Sequence, residues 1–405
     1  MERPTHARAA CLAALRRHAA RIATALLLAT LATASQAGPR TPARDDEVLL
    51  RLPPARGQAD TRLRLLAAKL ERQPRDAAVA AELAELYLGL AARTGDARYY
   101  GYAKSALRPW LSAGRLPPSL LRSRIAVRQY YHEFAGAQSD LRQLLAATPD
   151  DSRAWFELAL LHLGDGDSTA AARACEAIAG LDAVEAELCL AYLDANGRDL
   201  AAGERRLNQV AARILDTRAE LRRWAWLAAA DASARLGRPD QAEAAYRRAL
   251  PLAPAAHDTL MAYSDFLLER ARPREALQLL ATAPDTVAVA TRRALALHAL
   301  KDARAPAARR ELAARLRQRV LLGDSPYYPE EIRAQRLLFD DAPAALALAQ
   351  AQWRLIKSPL AARQLREAAA AADDGVTLAR LDEWLRRNPG AASQAHDSGV
   401  AHARG

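Results

Sequence analysis

Three cysteines, eight histidines and a few short acidic runs are the residues of this 405-residue chain equipped for chemistry. The acidic run "DGDS" at Asp165–Ser168 has some of the look of a calcium loop. It lacks the spaced carboxylates and the closing Glu that such a loop needs, and reads better as a turn between helices. His6 and His18 lie near the N-terminus and His396 and His402 near the C-terminus, so they do not converge with the others. His162 lies inside a helical pattern, and a hydrogen-bonded interior histidine is a simpler reading than a ligand. The pairs Asp340–Asp341 and Asp373–Asp374 precede helical patterns, where carboxylates suit the free N–H groups of a first turn. The stretch "PYYPEE" at Pro326–Glu331 reads as a helix start for the same reason. No phosphate loop, dinucleotide glycine pattern, HExxH, GxSxG or CxxC is present. The expectation is a chain that is not an enzyme and takes no cofactor or metal.

The cysteines belong with the N-terminus. Arg16, Arg17 and Arg21 precede an apolar run from Ile22 to Ala34, followed by the small residues Ser35 and Ala37. Positive region, apolar region and small-x-small motif make residues 1–37 a secretory signal, with cleavage expected after Ala37. The alternative is an uncleaved anchor, for which the run falls short of the roughly 20 apolar residues that span a bilayer. The mature chain then has no membrane span and is expected to be periplasmic or secreted. Cleavage removes Cys11 and leaves Cys175 and Cys189. An even pair in an oxidising compartment is a disulfide candidate; the alternative is two small buried hydrophobes on adjacent helices.

The formal charge of +11 invites a nucleic-acid reading. Only four of the 58 basic residues are Lys, and the Arg are interleaved with Asp and Glu along the whole chain. The first 37 residues hold five Arg against one Glu, so a good part of the excess leaves with the signal. No basic stripe with interleaved aromatics is visible, and no nucleic-acid partner is expected.

The chain is rich in Ala, Leu and Arg, has only 18 Gly, and lacks long period-two β-branched runs, so the elements are helices. A small residue recurs at fixed intervals. Ala103, Ala137 and Ala171 are each 34 apart, as are Ala242 and Ala276. Ala202 fills the gap between Ala171 and Ala242 with intervals of 31 and 40. Twelve residues before three of these positions stand Ala159, Ala230 and Ser264, and four after come Leu107, Leu141, Cys175, Tyr246 and Leu280. Small residues at matching places let two antiparallel helices approach closely, and a large residue one turn on fills the space beside them. "GDGD", "NGRD" and "GRPD" are the turns between paired helices, and Pro149 and Pro254 end units.

"AWFELALLHLGDGDSTAAARAC" and "AWLAAADASARLGRPDQAEAAYRRALPLAP" resemble tetratricopeptide repeats. Trp155, Leu158, Ala159 and Ala171 match the family pattern in the first, where Cys175 replaces its aromatic and His162 its Tyr. Trp226, Ala230, Ala242, Tyr246, Ala249 and Pro254 match in the second, where Ala229 and Ser233 depart. The resemblance extends to uncharacterised exported tetratricopeptide proteins of proteobacteria. It implies an all-α fold, a right-handed superhelical α-solenoid of antiparallel helix pairs, about nine in number. The expected layout is a flexible lead-in at 38–58, a solenoid at 59–284 with its best units at 98–284, degenerate pairs at 285–389, and a disordered tail at 390–405.

It also implies a function. Solenoids of this family present a concave face lined by the first helix of each pair. On that face helical spacing puts Arg122, Phe156, Leu160, Trp224, Leu227, Asp231, Arg235, Met261, Asp265 and Glu269. The expected function is a non-enzymatic interaction scaffold of the cell envelope that holds a protein or peptide partner in this groove. The alternatives are a structural subunit of an envelope assembly or secretion complex, or a glycan-binding or enzymatic site on the helical scaffold. With only three Asn, none on a first-helix face, the Lys/Asn carboxylate clamp of some family members is expected to be missing.

Overall fold

Alanine-rich segments punctuated by Asp, Gly and Pro fold into nineteen α-helices, and no strand occurs among the described residues. The structure is a computed structural model and describes residues 58–321 and 328–387. The signal segment, the lead-in up to residue 57 and the tail lie outside the described residues. The chain divides into two units, Met1–Asp60 and Thr61–Gly405. The helices lie in the second unit, apart from the opening residues of the first helix.

A lone helix, α1 (Gln58–Arg72), precedes nine antiparallel pairs. They are α2 (Ala77–Thr94) with α3 (Arg98–Ala106), α4 (Pro118–Tyr130) with α5 (Phe134–Ala147), and α6 (Ser152–Gly164) with α7 (Ser168–Ile178). Next come α8 (Ala183–Leu193) with α9 (Leu200–Arg213), α10 (Ala219–Arg235) with α11 (Pro239–Ala249), and α12 (His257–Glu269) with α13 (Pro273–Leu279). The last are α14 (Val287–Ala299) with α15 (Ala305–Leu321), α16 (Tyr328–Leu337) with α17 (Ala342–Leu355), and α18 (Pro359–Ala371) with α19 (Gly375–Arg387).

Aspartate starts many of these helices. The carboxylates of Asp76, Asp151, Asp167, Asp182, Asp199, Asp341 and Asp374 each accept from a backbone N–H three residues on. Each satisfies a donor that the first turn leaves free. "DGDS" is therefore a turn: Gly166 takes the left-handed conformation at φ +85° and Asp167 caps α7. In the two Asp–Asp pairs the second residue caps, while Asp340 and Asp373 turn the chain at φ 55° and 53°.

The pairs are held by the small-residue code. Ala103, Ala137, Ala171, Ala242 and Ala276 are all fully buried, as are Ala159, Ala230 and Ser264 on the facing first helices. The fourth pair corrects the sequence reading. Ala202 is half-buried, and the buried small residue is Gly203, where an added Cβ would stand 2.2 Å from the backbone nitrogen of Ala195. Leu207, four residues on, is buried, as are Leu107, Leu141, Cys175, Tyr246 and Leu280. Ala195 belongs to a π-type turn at Asp194–Arg198, which brings the backbone after α8 this close to α9.

Because each pair is rotated relative to the one before, the array winds back on itself within this unit. The end of α2 meets the start of α12: a Cβ on Gly95 would fall 2.3 Å from His257 Nδ1. Further on, the backbone N–H of Lys357, between α17 and α18, donates to the carbonyl of Gly164 at the end of α6 (2.6 Å). Pairs five or more apart in sequence are therefore neighbours.

Candidate protein-binding groove

The first helices α6, α8 and α10 carry an aromatic ridge. Phe156 on α6 meets Trp224 on α10 edge-on, with ring centroids 5.1 Å apart. Tyr192 on α8 lies 4.9 Å from the same indole, tilted against it. Leu160 and Leu227 are half-buried beside them, packed against the largest core cluster. Phe156 is buried, Trp224 and Tyr192 are half-buried. The ridge is thus a partly covered seam rather than three free rings. Burial pushes the Tyr192 hydroxyl up to about 12, with the Asp231 carboxylate adding to the effect, so it remains a neutral donor at physiological pH.

Beyond the ridge the face turns acidic. Asp231 at the end of α10 is exposed and pairs with Arg235 one turn on (2.9 Å). Arg235 also donates to the Ala195 carbonyl (2.9 Å), tying α10 to the turn after α8. On α12, Asp265 is held by Arg292 of α14 (2.5 Å) and by Arg333 of α16. Arg292 completes the network with Glu330 of α16 (2.9 Å). Burial by itself raises the Asp265 carboxyl, but the two guanidiniums outweigh it and hold the group below the ordinary carboxylate range. Glu269, at the end of α12, pairs with Arg363 of α18 (3.0 Å).

The structure therefore separates the ten residues placed on this face. Phe156, Leu160, Trp224 and Leu227 come together with Tyr192, which the sequence reading did not single out. The near-repeat spacing from Phe156 to Tyr192 to Trp224 was the available signal. Asp231 and Arg235 sit at the edge of this cluster. Four positions depart from an open groove lining, the buried Phe156 among them. Met261 is buried, its carbonyl accepting from Arg292 Nε (3.3 Å). Asp265 is consumed by the arginine network. Arg122 braces two pairs by bonding Asp151, the cap of α6 (2.6 Å). The physical reason is the tight winding, which brings arginines of α14, α16 and α18 onto the acidic part of the face. Cys175 and Cys189, on α7 and α8, are joined as a disulfide with Cα atoms 5.5 Å apart. Among the described residues no three His, Cys, Asp or Glu side chains converge to hold a metal ion. No helix among them is long and apolar enough to cross a membrane.

One stretch of the chain matches a known family. Residues 223–266, covering most of α10, all of α11 and most of α12, match the Tetratricopeptide repeat family. No curated protein matches the chain. Among solved structures, a tetratricopeptide repeat protein from Parabacteroides merdae is 15% identical, covers 58% of this chain and 91% of its own, and has a TM-score of 0.42. The Cut9–Hcn1 hetero-tetramer of the APC/C is 15% identical over 83% of this chain and 66% of that one, with a TM-score of 0.44. Yeast Tom70 is 14% identical over 82% of each chain, with a TM-score of 0.38. The family match is confined to residues 223–266, which it identifies as a tetratricopeptide repeat, and the helix pairs on either side share its antiparallel arrangement.

Proposed function

We propose that this protein is a non-catalytic scaffold that binds a protein or peptide segment along the first-helix ridge, and that it works in the cell envelope after export. The observation that carries the binding role is the seam of Phe156, Tyr192 and Trp224, with the exposed Asp231 beside it. Half-covered aromatics next to a carboxylate offer stacking and apolar contact with a polar anchor, the mix that recognises an extended or helical segment. The acidic end of the face is already matched by the chain's own arginines. The free length for a partner is therefore the ridge over α6, α8 and α10. The export reading rests on Arg16, Arg17, Arg21 and the apolar run after them.

Site-specific photo-crosslinking in living cells tests both parts. A photoreactive residue at Asp231 is expected to trap a discrete partner, and one at Arg205, exposed on α9, is expected not to. Equal trapping at both positions, or none at Asp231, overturns the groove assignment. N-terminal sequencing of the fractionated protein is expected to begin at Gly38 in an envelope fraction. A cytoplasmic chain beginning at Met1 overturns the export reading.

A further inference from the structure

Two tryptophans occupy the same place in two repeats. Trp155 lies sixteen residues before the buried Ala171, and Trp226 lies sixteen before the buried Ala242. Their surroundings differ. In the fifth pair Arg248 of α11 lays its guanidinium over the Trp226 ring, 4.7 Å from the centroid, and Trp226 is buried. In the third pair the position matching Arg248 is Ala177, and no cation among the described residues covers Trp155. A cleft of about 440 Å3 opens there, between the second helices α5 and α7 and beside α6.

The charges move with it. Arg142 on α5 and Arg173 on α7 line this cleft, where the fourth and fifth pairs have Asn208 and Ala244. Both are exposed, and neither is ion-paired among the described residues; Arg142 makes only a long hydrogen bond to Gln138 Oε1 (3.3 Å). Leu158 and Ala177 add apolar lining, and the Trp155 indole is fixed by donating its N–H to the Pro149 carbonyl (3.0 Å). Asp167 also lines the cleft but is committed to capping α7. His162 completes the lining, and burial, with Arg142 and Arg173 nearby, holds it below its ordinary value, so it adds no positive charge at neutral pH. Among the lining side chains two guanidiniums face one carboxylate, Asp167, with the Asp165 carboxylate also near His162.

We propose that this cleft is a small-molecule site for a planar, apolar monoanion, with an aromatic carboxylate as its ligand class. The ring stacks on Trp155 in the space that Arg248 fills over Trp226. The carboxylate lies between Arg142 and Arg173, where charge-assisted bonds are strong and the fork geometry suits it. The volume lies in the range of small-ligand sites. The site is separate from the first-helix ridge, so it stands or falls independently of the partner-binding role.

Titration calorimetry with 2-naphthoate on the purified full chain tests it. The neutral 2-naphthylmethanol and a peptide ending in a free-carboxylate Phe serve as comparison ligands. The expected result is saturable naphthoate binding, weakened by about tenfold or more in the alcohol and in Arg142→Gln/Arg173→Gln, as the loss of a charge-assisted pair implies. Ala177→Arg is expected to abolish binding by restoring the cation of the fifth pair. Both arginines are at the surface, so their double variant keeps the test valid if Ala177→Arg fails to fold. Undetectable naphthoate binding at millimolar concentration overturns the proposal. So does equal binding of the alcohol, unchanged binding in the arginine double variant, or tighter binding of the peptide than of naphthoate.

Discussion

The guanidinium of Arg363 on α18 bonds the carboxylate of Glu269 on α12, 3.0 Å away, across three helix pairs. With Arg333 on Asp265 it makes the last pairs counter-charges for the sixth. The two contacts differ in worth because they differ in burial. Glu269 and Arg363 are each more than a third exposed, and water screens them. Asp265 shares the almost fully buried Arg292, which is only 6% exposed. A double-mutant cycle on Glu269→Ala and Arg363→Ala is expected to give a coupling of about 0.2–1 kcal/mol by urea unfolding. Asp265→Ala is expected to cost about 2–3 kcal/mol, because Arg333 loses its partner and the buried Arg292 keeps only Glu330. A larger loss from the Glu269 pair than from Asp265 contradicts this ranking.

The same network sets a pH dependence. The Asp265 carboxyl is depressed in the folded chain, where Arg292 and Arg333 outweigh its burial. Its contribution is therefore fully present above the ordinary carboxylate value near 4 and is lost as pH falls through the folded value. Asp265→Asn is expected to lower stability at pH 7 and to flatten the decline below about pH 4. Unfolding midpoints across pH 7 to 2 measure it. Parallel curves for the variant and the parent chain show that Asp265 does not titrate in this way.

A second ionic knot has no role on the ridge and belongs to stability. Arg124, 2% exposed, forks onto Asp140 through Nε (2.8 Å) and a terminal nitrogen (2.6 Å). Its other terminal nitrogen donates to the carbonyls of Trp110 (2.6 Å) and Ala113 (2.7 Å). Arg128 adds a third contact to Asp140 (2.6 Å). Removing one partner of such a buried pair leaves the other charge without compensation. Asp140→Ala is expected to destabilise by about 3–5 kcal/mol. Glu82→Ala, which breaks an exposed pair with Arg62, is expected to cost under about 1 kcal/mol. Equal effects of the two variants in denaturant titrations refute the ranking.

The repeat was legible because its signal is local. Ala159 and Ala171 must meet within one pair, and Leu141 or Cys175 must fill the space one helical turn on, so the spacing is written into neighbouring residues. Register slipped by one at Ala202, where Gly203 is the buried small residue, because the π-type turn before α9 has no clear pattern in the residues that form it. The ridge was half legible: Phe156 and Trp224 were read, Tyr192 was not. The arginines that meet Asp265 and Glu269 were not legible at all. Which first helices face one another three pairs apart depends on the small rotation added by every pair. No stretch of sequence near Asp265 encodes Arg333, and none near Glu269 encodes Arg363.

The Cys175–Cys189 bond staples the second helix of the third pair to the first helix of the fourth, and both sulfurs lie in fully buried side chains. A cross-link closing a loop this short is expected to contribute roughly 3 kcal/mol, chiefly by restricting the unfolded chain. Cys175→Ser/Cys189→Ser is expected to lower stability by a similar amount, with the helix content unchanged by circular dichroism. Thiol titration of the unfolded, unreduced chain prepared without residues 1–37, and so without Cys11, is expected to find no free thiol. Two reactive thiols in that chain after air oxidation contradict the bond.

Gly203 provides the sharpest local test of the packing code. A methyl group here is aimed at the nitrogen and Cα of Ala195, at 2.2 and 2.5 Å, and both are backbone atoms that no rotamer change can move. At Ala202, half-buried one residue earlier, the same helix has a methyl group already. Ordinary helix propensity favours Gly→Ala by about 1 kcal/mol, so a gain is the outcome if only the local backbone counts. Overpacking opposes it, at roughly 1–3 kcal/mol, because α8 and α9 must separate to admit the methyl. Gly203→Ala is therefore expected to destabilise despite the better helix former, and Ala202→Gly to cost only about 1 kcal/mol. Thermal melts of the two variants decide it. A stabilised Gly203→Ala means that the close approach of Ala195 is wrong, and that Ala202, not Gly203, is the contact residue of the fourth pair.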